Sequence, residues 1–134
     1  MLKLSQAESG GNLSYMERDL LRFFLFAAGT GFIVMTGTIV YALSTGNFWT
    51  EGPALLEMSW GLVSLVDTYI GLVLFSCWVL WREQFQLNGF FWVILIIGLG
   101  NMISCLYILG ACVQANGDMI RFWIGSKATE ELAR

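Results

Sequence analysis

The residues able to do chemistry in this sequence are few, and one carboxylate stands out among them. Asp67 lies within GLVSLVDTYIGLVLFSCWVLWRE, residues 61–83, a stretch that is otherwise uncharged until Arg82 and Glu83. An ionised carboxylate deep in a bilayer costs about 2.5–3.5 kcal/mol on insertion scales, so a partner or a proton has to compensate its charge. Asp67 is therefore the first candidate for a site.

Asp67 shares a helical stripe with other residues. Positions three and four apart line one helix face, and this stripe comprises Trp60, Ser64, Asp67, Gly71, Leu74, Trp78 and Arg82. Folding the second and third helices back on each other about residues 85 and 86 puts Asp67 at roughly the depth of Ser104, with Asn101 about one helical turn away. The spacing thus predicts a cluster of Asp67, Asn101 and Ser104 as a ligand-binding or proton-transfer site.

Three interpretations of Asp67 stay open at this point. In the first, Asn101 or Ser104 holds the carboxyl group, or a proton neutralises it, and the group fixes helix register. In the second, Asp67 lies closer to the membrane surface, because Glu57 is only a few turns away. In the third, it carries a proton or binds a ligand.

The rest of the sequence supplies little for catalysis or metal binding. It has no His, and its three cysteines, Cys77, Cys105 and Cys112, lie in apolar stretches without a Cys-x-x-Cys pair. The usual zinc, haem and copper ligand sets are therefore missing, and neither a metal site nor a catalytic residue is predicted. No cofactor is predicted either, although 6 Trp, 4 Tyr and 10 Phe leave a lipid or pigment open as a ligand.

The composition indicates which elements position these residues. The 134-residue chain is 57% hydrophobic and 13% charged, whereas soluble domains carry about 25% charged residues. Three windows, 23–50, 58–81 and 84–117, contain no charge except Asp67, and each exceeds the ~20 residues that cross a bilayer as a helix. The sequence predicts an all-α integral membrane protein with three transmembrane helices, about 19–45, 58–83 and 88–115.

These helices form one predicted domain spanning residues 1–134, with a polar leader (1–18) and a C-terminal tail (116–134) that contains a short interfacial helix. Small residues are predicted at helix contacts, and aromatic and basic residues at the membrane surface. The packing residues are Ala27, Gly31, Gly71, Gly98 and Gly100. The interfacial anchors are Trp49, Trp60, Trp78, Trp81, Arg82 and Trp123.

Charge gives an expected orientation. Three spans would place Lys3, Arg18, Arg22 and Arg82 on one side and Arg121, Lys127 and Arg134 on the other. The first loop has no Lys or Arg, so the positive-inside rule favours an N-terminus inside and a C-terminus outside. The net charge of −3 with scattered positive residues argues against a nucleic acid as partner.

Two stretches resemble a known family. LVDTYIGLVLFSCWVLWRE, followed by FFWVILIIGLGNMISCLYIL, is similar to the DUF1475 family of small uncharacterised membrane proteins over about residues 60–110. There too, a helix with an early Asp ends in an aromatic, basic and acidic patch, and a Phe-Trp pair opens the next helix. The resemblance implies a helical membrane protein and no particular activity.

The leading expectation is a small non-catalytic membrane subunit, either an accessory part of a larger assembly or a homo-oligomer, whose partners are the bilayer and other subunits or itself. A second hypothesis is a transporter or proton-conducting oligomer that uses Asp67. A third is a lipid- or pigment-binding protein, or an enzyme that modifies a lipid with Asp67 as general acid.

Overall fold

The chain is helical throughout the part that the structure describes. The structure is a computed structural model that describes the backbone of residues 2–125 and the side chains of residues 15–125. The helices are α1 (Leu2–Thr45), α2 (Phe48–Glu57), α3 (Ser59–Arg82), α4 (Leu87–Leu99), α5 (Asn101–Ala115) and α6 (Met119–Ile124). Since residues 2–125 contain no strand, the predicted all-α class is confirmed for them.

Two of these helices are long and apolar enough to cross a membrane. They are the Tyr15–Thr45 part of α1, with 31 residues, and α3, with 24 residues. At 1.5 Å per residue α3 is about 36 Å long, which exceeds the ~30 Å of a hydrocarbon layer. The second predicted span, 58–83, therefore coincides with α3.

The prediction of a continuous third helix over residues 88–115 is wrong. The chain breaks at Gly100, whose φ of 70° and ψ of −148° fall near a backbone region that essentially only glycine occupies. α4 has 13 residues and α5 has 15, so they are about 20 and 22 Å long. Neither has the length to cross a bilayer alone.

α4 and α5 fold back on each other as an antiparallel hairpin. The rings of Trp92 and Tyr107 lie 5.3 Å apart, although the two residues would be about 22 Å apart along one straight helix. Ile96 and Ile103, on either side of Gly100, belong to one buried cluster with Leu72 and Val79 of α3. The hairpin thus packs on α3 and has its tip at Gly100.

α1 packs along α5 in the opposite direction. A Cβ at Gly31 would lie 3.0 Å from Cys105 Sγ, and Leu21 shares a buried cluster with Ala111, Cys112 and Ala115. Further along, a Cβ at Gly117 would lie 3.6 Å from Arg18 Cγ. The end of α5 therefore lies beside the Arg18 region of α1.

The short helix α6 closes this end of the bundle. Phe122 stacks on Phe24 of α1 with ring centroids 5.3 Å apart and lies 5.9 Å from Trp78 of α3. We call this end, which carries Arg18, Arg22, Arg82 and Arg121, the arginine end. α6 confirms the predicted C-terminal helix, while the tail from residue 126 lies outside the described residues.

Two further boundaries differ from expectation or refine it. α1 begins at Leu2 rather than near residue 19. No proline interrupts the leader, because Pro53 is the sole proline of the sequence.

At the end of the bundle opposite the arginine end, α2 starts after Asn47, whose side chain accepts a hydrogen bond from Trp49 N. Gly61 admits the carbonyl oxygen of Leu55, which any Cβ at position 61 would strike, so α2 packs closely on α3.

Candidate functional site

The most elaborate polar arrangement in the described chain centres on Arg82, the last residue of α3. Its side chain is only 2% exposed. Its Nε donates a hydrogen bond of 2.9 Å to the carbonyl oxygen of Phe122, and its Nη1 donates to Glu83 Oε1 at 3.1 Å and to Tyr107 Oη at 3.0 Å. Arg82 thereby joins α3, α5 and α6.

Glu83 and Tyr107 complete a closed triad with Arg82. Tyr107 Oη donates to Glu83 Oε1 at 2.9 Å, so the same hydroxyl accepts from the guanidinium and donates to the carboxylate. Gln114 Oε1 accepts from Arg82 Nη2 at 3.5 Å, which is at the long limit for a hydrogen bond. The two opposite charges give the triad no net charge, and its hydrogen bonds offset the desolvation of a buried cation.

The triad forms one wall of a cavity of about 230 Å³. The lining residues are Arg82, Glu83, Gln84, Asn88, Trp92, Tyr107, Gln114 and Gly125. Polar side chains dominate the lining as a whole, so the cavity suits water or a small polar molecule. Among the described residues no three His, Cys, Asp or Glu side chains are grouped to hold a metal ion.

Two of the predicted interfacial anchors, Arg82 and Trp78, are enclosed by the chain itself. Arg82 is buried, and Trp78 is half-buried among the rings of Phe75, Tyr107, Phe122 and Trp123. Both side chains are enclosed because α5 and α6 cover this end of α3. The other predicted anchors, Trp49, Trp60, Trp81 and Trp123, are exposed, at 83%, 81%, 56% and 46% respectively.

The predicted cluster around Asp67 is not assembled. Asp67 and Asn101 are both exposed, and Ser104 is buried with its hydroxyl unpaired among the described residues. Asp67 lies roughly 140° around α3 from the buried Leu72. The cluster fails because the hairpin turns at Gly100, which returns Ser104 towards the arginine end instead of carrying it alongside Asp67.

The predicted packing residues lie in different surroundings. Gly31 faces Cys105 in the contact between α1 and α5, and Gly100 forms the hairpin turn. Ala27 is exposed, and a Cβ at Gly71 or Gly98 would meet no atom within 4 Å. The open space beside Gly71 lies one helical turn from Asp67.

Sequence reasoning missed Tyr107 and Gln114 as partners of Arg82. They are seven residues apart in α5, so they share one face of that helix. The phenol and the amide on one face of an apolar helix could have indicated these partners, because a buried guanidinium needs several hydrogen-bond acceptors. The fold-back at Gly100, which brings this face to Arg82, had no such signal.

Comparison with known proteins gives a family. The family model described as "Protein of unknown function (DUF1475)" matches residues 20–117, a segment that includes α2 to α5 and all three members of the triad. No curated protein and no solved structure matches the chain. The match covers most of the 134 residues, including the hairpin and the buried arginine. The chain therefore belongs to the DUF1475 family.

Proposed function

We propose that this protein is a non-catalytic integral membrane protein that acts by association, as an accessory subunit of a larger assembly or as a homo-oligomer. Its two membrane-length helices and their extensive exposed apolar surface support a place in a bilayer. The observation that carries the proposal is Asp67, a carboxylate on the exposed face of one of those helices.

The membrane topology that fits this fold has two spans. α1 and α3 cross the bilayer, and the hairpin of α4 and α5 enters from the arginine end and returns to it. This replaces the expected three spans, so the C-terminal segment lies on the same side as the N-terminal one. The loop at the other end has no Lys or Arg between Arg22 and Arg82, and the positive-inside rule therefore assigns the arginine end to the inside.

Labelling from the two sides of the membrane tests this topology. Single cysteines at Glu51 and at Arg121, introduced into a chain whose three cysteines are replaced by alanine, should react with an impermeant thiol reagent from opposite sides. The same result is expected for Glu51 and Arg18. Labelling of Arg121 and Arg18 from opposite sides would contradict two spans and restore three.

The argument for association begins with the depth of Asp67. It lies about 12 Å from the start of α3 and about 22 Å from its end, inside the segment that would cross the hydrocarbon layer. No hydrogen bond or ion pair within residues 15–125 engages its carboxylate. The cost of about 2.5–3.5 kcal/mol for such a charge is relieved when a second polypeptide supplies a partner.

The neighbouring residues leave room for that partner. On the same stripe Ser64, Gly71 and Leu74 are exposed, and the hydroxyls of Ser64 and Thr68 bond back to the carbonyls of Trp60 and Ser64. With its own hydroxyls satisfied and open space at Gly71, this face can receive a close-packed helix.

Size analysis after gentle detergent extraction tests the association. We expect the wild-type chain to elute as an oligomer or with another membrane protein, and Asp67→Leu to elute largely as a monomer. Thr38→Val is the matched control, because Thr38 is an exposed hydroxyl on α1 that bonds to Val34 O. A stable wild-type monomer without a co-purifying protein would contradict the proposal.

The same carboxylate supports one alternative, a proton-conducting oligomer in which several Asp67 side chains line a shared path. Proton flux in vesicles containing the purified protein distinguishes it from a passive subunit. In this alternative, Asp67→Asn abolishes the flux while the oligomer persists. Flux that survives the substitution would remove this alternative.

A further inference from the structure

We propose that a cavity between α1 and the end of α5 binds the phosphate of an anionic phospholipid. The cavity measures about 310 Å³ and is lined by Arg18, Leu21, Arg22, Leu25, Cys112, Asn116 and Gly117. It lies at the arginine end on a different face from the triad of Arg82, Glu83 and Tyr107. The inference rests on the proposed topology, in which this end meets the headgroup layer.

Two guanidinium groups form the polar rim of the cavity. Arg18 and Arg22 are one helical turn apart on α1, so both side chains project on the same side. The guanidinium carbon of Arg18 lies 5.1 Å from the centre of the Tyr15 ring, and the Arg18 stem packs near Gly117. These contacts hold one guanidinium at the rim, where phosphate oxygens can accept hydrogen bonds from both arginines.

Among the described residues, Asp19 competes with a phosphate for Arg22, and its ion pair is weak. Asp19 Oδ1 lies 3.4 Å from Arg22 Nη1, and the two side chains are 72% and 80% exposed. A solvated pair of this kind contributes little to stability. A phosphate that also contacts Arg18 can therefore replace the Asp19 carboxylate at Arg22.

The floor of the cavity favours a lipid over a free anion. Leu21 and Cys112 are 6% and 7% exposed, and Leu25, one turn further along α1, is 44% exposed. This places an apolar surface directly beyond the rim, in the direction that an acyl chain takes from its phosphate into the bilayer. Basic pockets between membrane helices on the inner side bind anionic headgroups for the same reason.

Lipid titration of the purified full chain in neutral detergent tests the proposal. Native mass spectrometry should show phosphatidylglycerol bound more tightly than phosphatidylcholine. Arg22→Gln should weaken the phosphatidylglycerol affinity about fivefold, the loss expected for one basic side chain near an anionic headgroup. Because Arg22 is 80% exposed, this substitution leaves the fold intact.

Two comparisons sharpen the outcome. Arg121→Gln, at the same end but outside the cavity, should leave the affinity unchanged, and inorganic phosphate should not displace the lipid at millimolar concentration. Displacement by phosphate would assign the rim to a free anion and overturn the lipid assignment. Equal affinity for the two lipids, or full affinity in Arg22→Gln, would overturn the site altogether. The labelling of cysteines at positions 51 and 121 tests the topology independently of lipid binding.

Discussion

Arg82 and Asp67 lie on the same helix, about four turns apart, and differ in burial and in polar contacts. The Arg82 side chain is 2% exposed and bonds to Glu83, Tyr107 and the carbonyl of Phe122. Asp67 is exposed and has no polar partner among the described side chains. The charge of Arg82 is thus satisfied within the chain, whereas the charge of Asp67 is not satisfied by any described side chain.

The difference follows from how far the hairpin reaches along α3 and from which face of α3 it covers. α5 and α6 cover Trp78 and Arg82 at the arginine end, whereas Trp60, Ser64, Asp67, Gly71 and Leu74 of the same stripe are exposed. A hairpin about 20 Å long cannot cover a helix of about 36 Å. Asp67 lies both on the uncovered face of α3 and near the limit of the hairpin's reach, whereas Arg82 lies where α5 and α6 cover the helix.

The largest expected effect comes from removing the charge partner of Arg82. Glu83→Gln leaves a buried guanidinium without a carboxylate, and we expect the free energy of unfolding to fall by about 3 kcal/mol, the lower part of the range for broken buried pairs, because Glu83 is 22% exposed. Denaturant unfolding in detergent micelles measures it. Glu57→Gln, an exposed glutamate, is the control, and equal losses in the two variants would contradict the structural role of the triad.

An intermediate effect is expected at the tip that divides the two regions. Gly100→Ala forces a side chain into a backbone conformation with φ of 70° and ψ of −148°, and such strain costs about 1–3 kcal/mol. Gly98→Ala provides the matched control, since a Cβ there meets no atom within 4 Å. Thermal unfolding of both variants should show the loss for Gly100→Ala alone, and an unchanged Gly100→Ala would argue against the break.

The smallest effect is expected at Asp67. Asp67→Asn should change the stability of the isolated monomer by less than about 0.5 kcal/mol, as for surface positions without partners. The same denaturant unfolding, at protein concentrations where the monomer dominates, measures it. A loss above about 1 kcal/mol would mean that Asp67 has a partner inside its own chain, and the comparison with Arg82 would no longer hold.

Much of the fold was predictable from where charges are absent. The apolar window that contains Asp67 predicts α3 to within one residue at each end, because an apolar run of that length is typical of a single membrane-length helix. The fold-back at Gly100 was not predictable in the same way. Gly98, Gly100 and Gly110 look alike in sequence, and only Gly100 adopts a positive φ, which packing of the hairpin selects.

The candidate site was predictable in its parts and not in its assembly. Arg82 and Glu83 stood out as a charged pair after an apolar run, and the aromatic residues just before them favoured an interpretation as a membrane-surface anchor. Tyr107 and Gln114 reach Arg82 only because α5 returns. A long-range contact of this kind depends on chain reversal, which neither residue type nor spacing encodes.

The turn at Gly100 also constrains the order in which the molecule assembles. In the two-span topology proposed above, the hairpin does not cross the bilayer, so its depth depends on its contacts with α1 and α3. Its contact with α1, from Gly31 to Cys105, joins residues far apart in sequence, and such contacts form late. We therefore expect the two long helices to insert before the hairpin docks, and the hairpin to detach first when the protein unfolds.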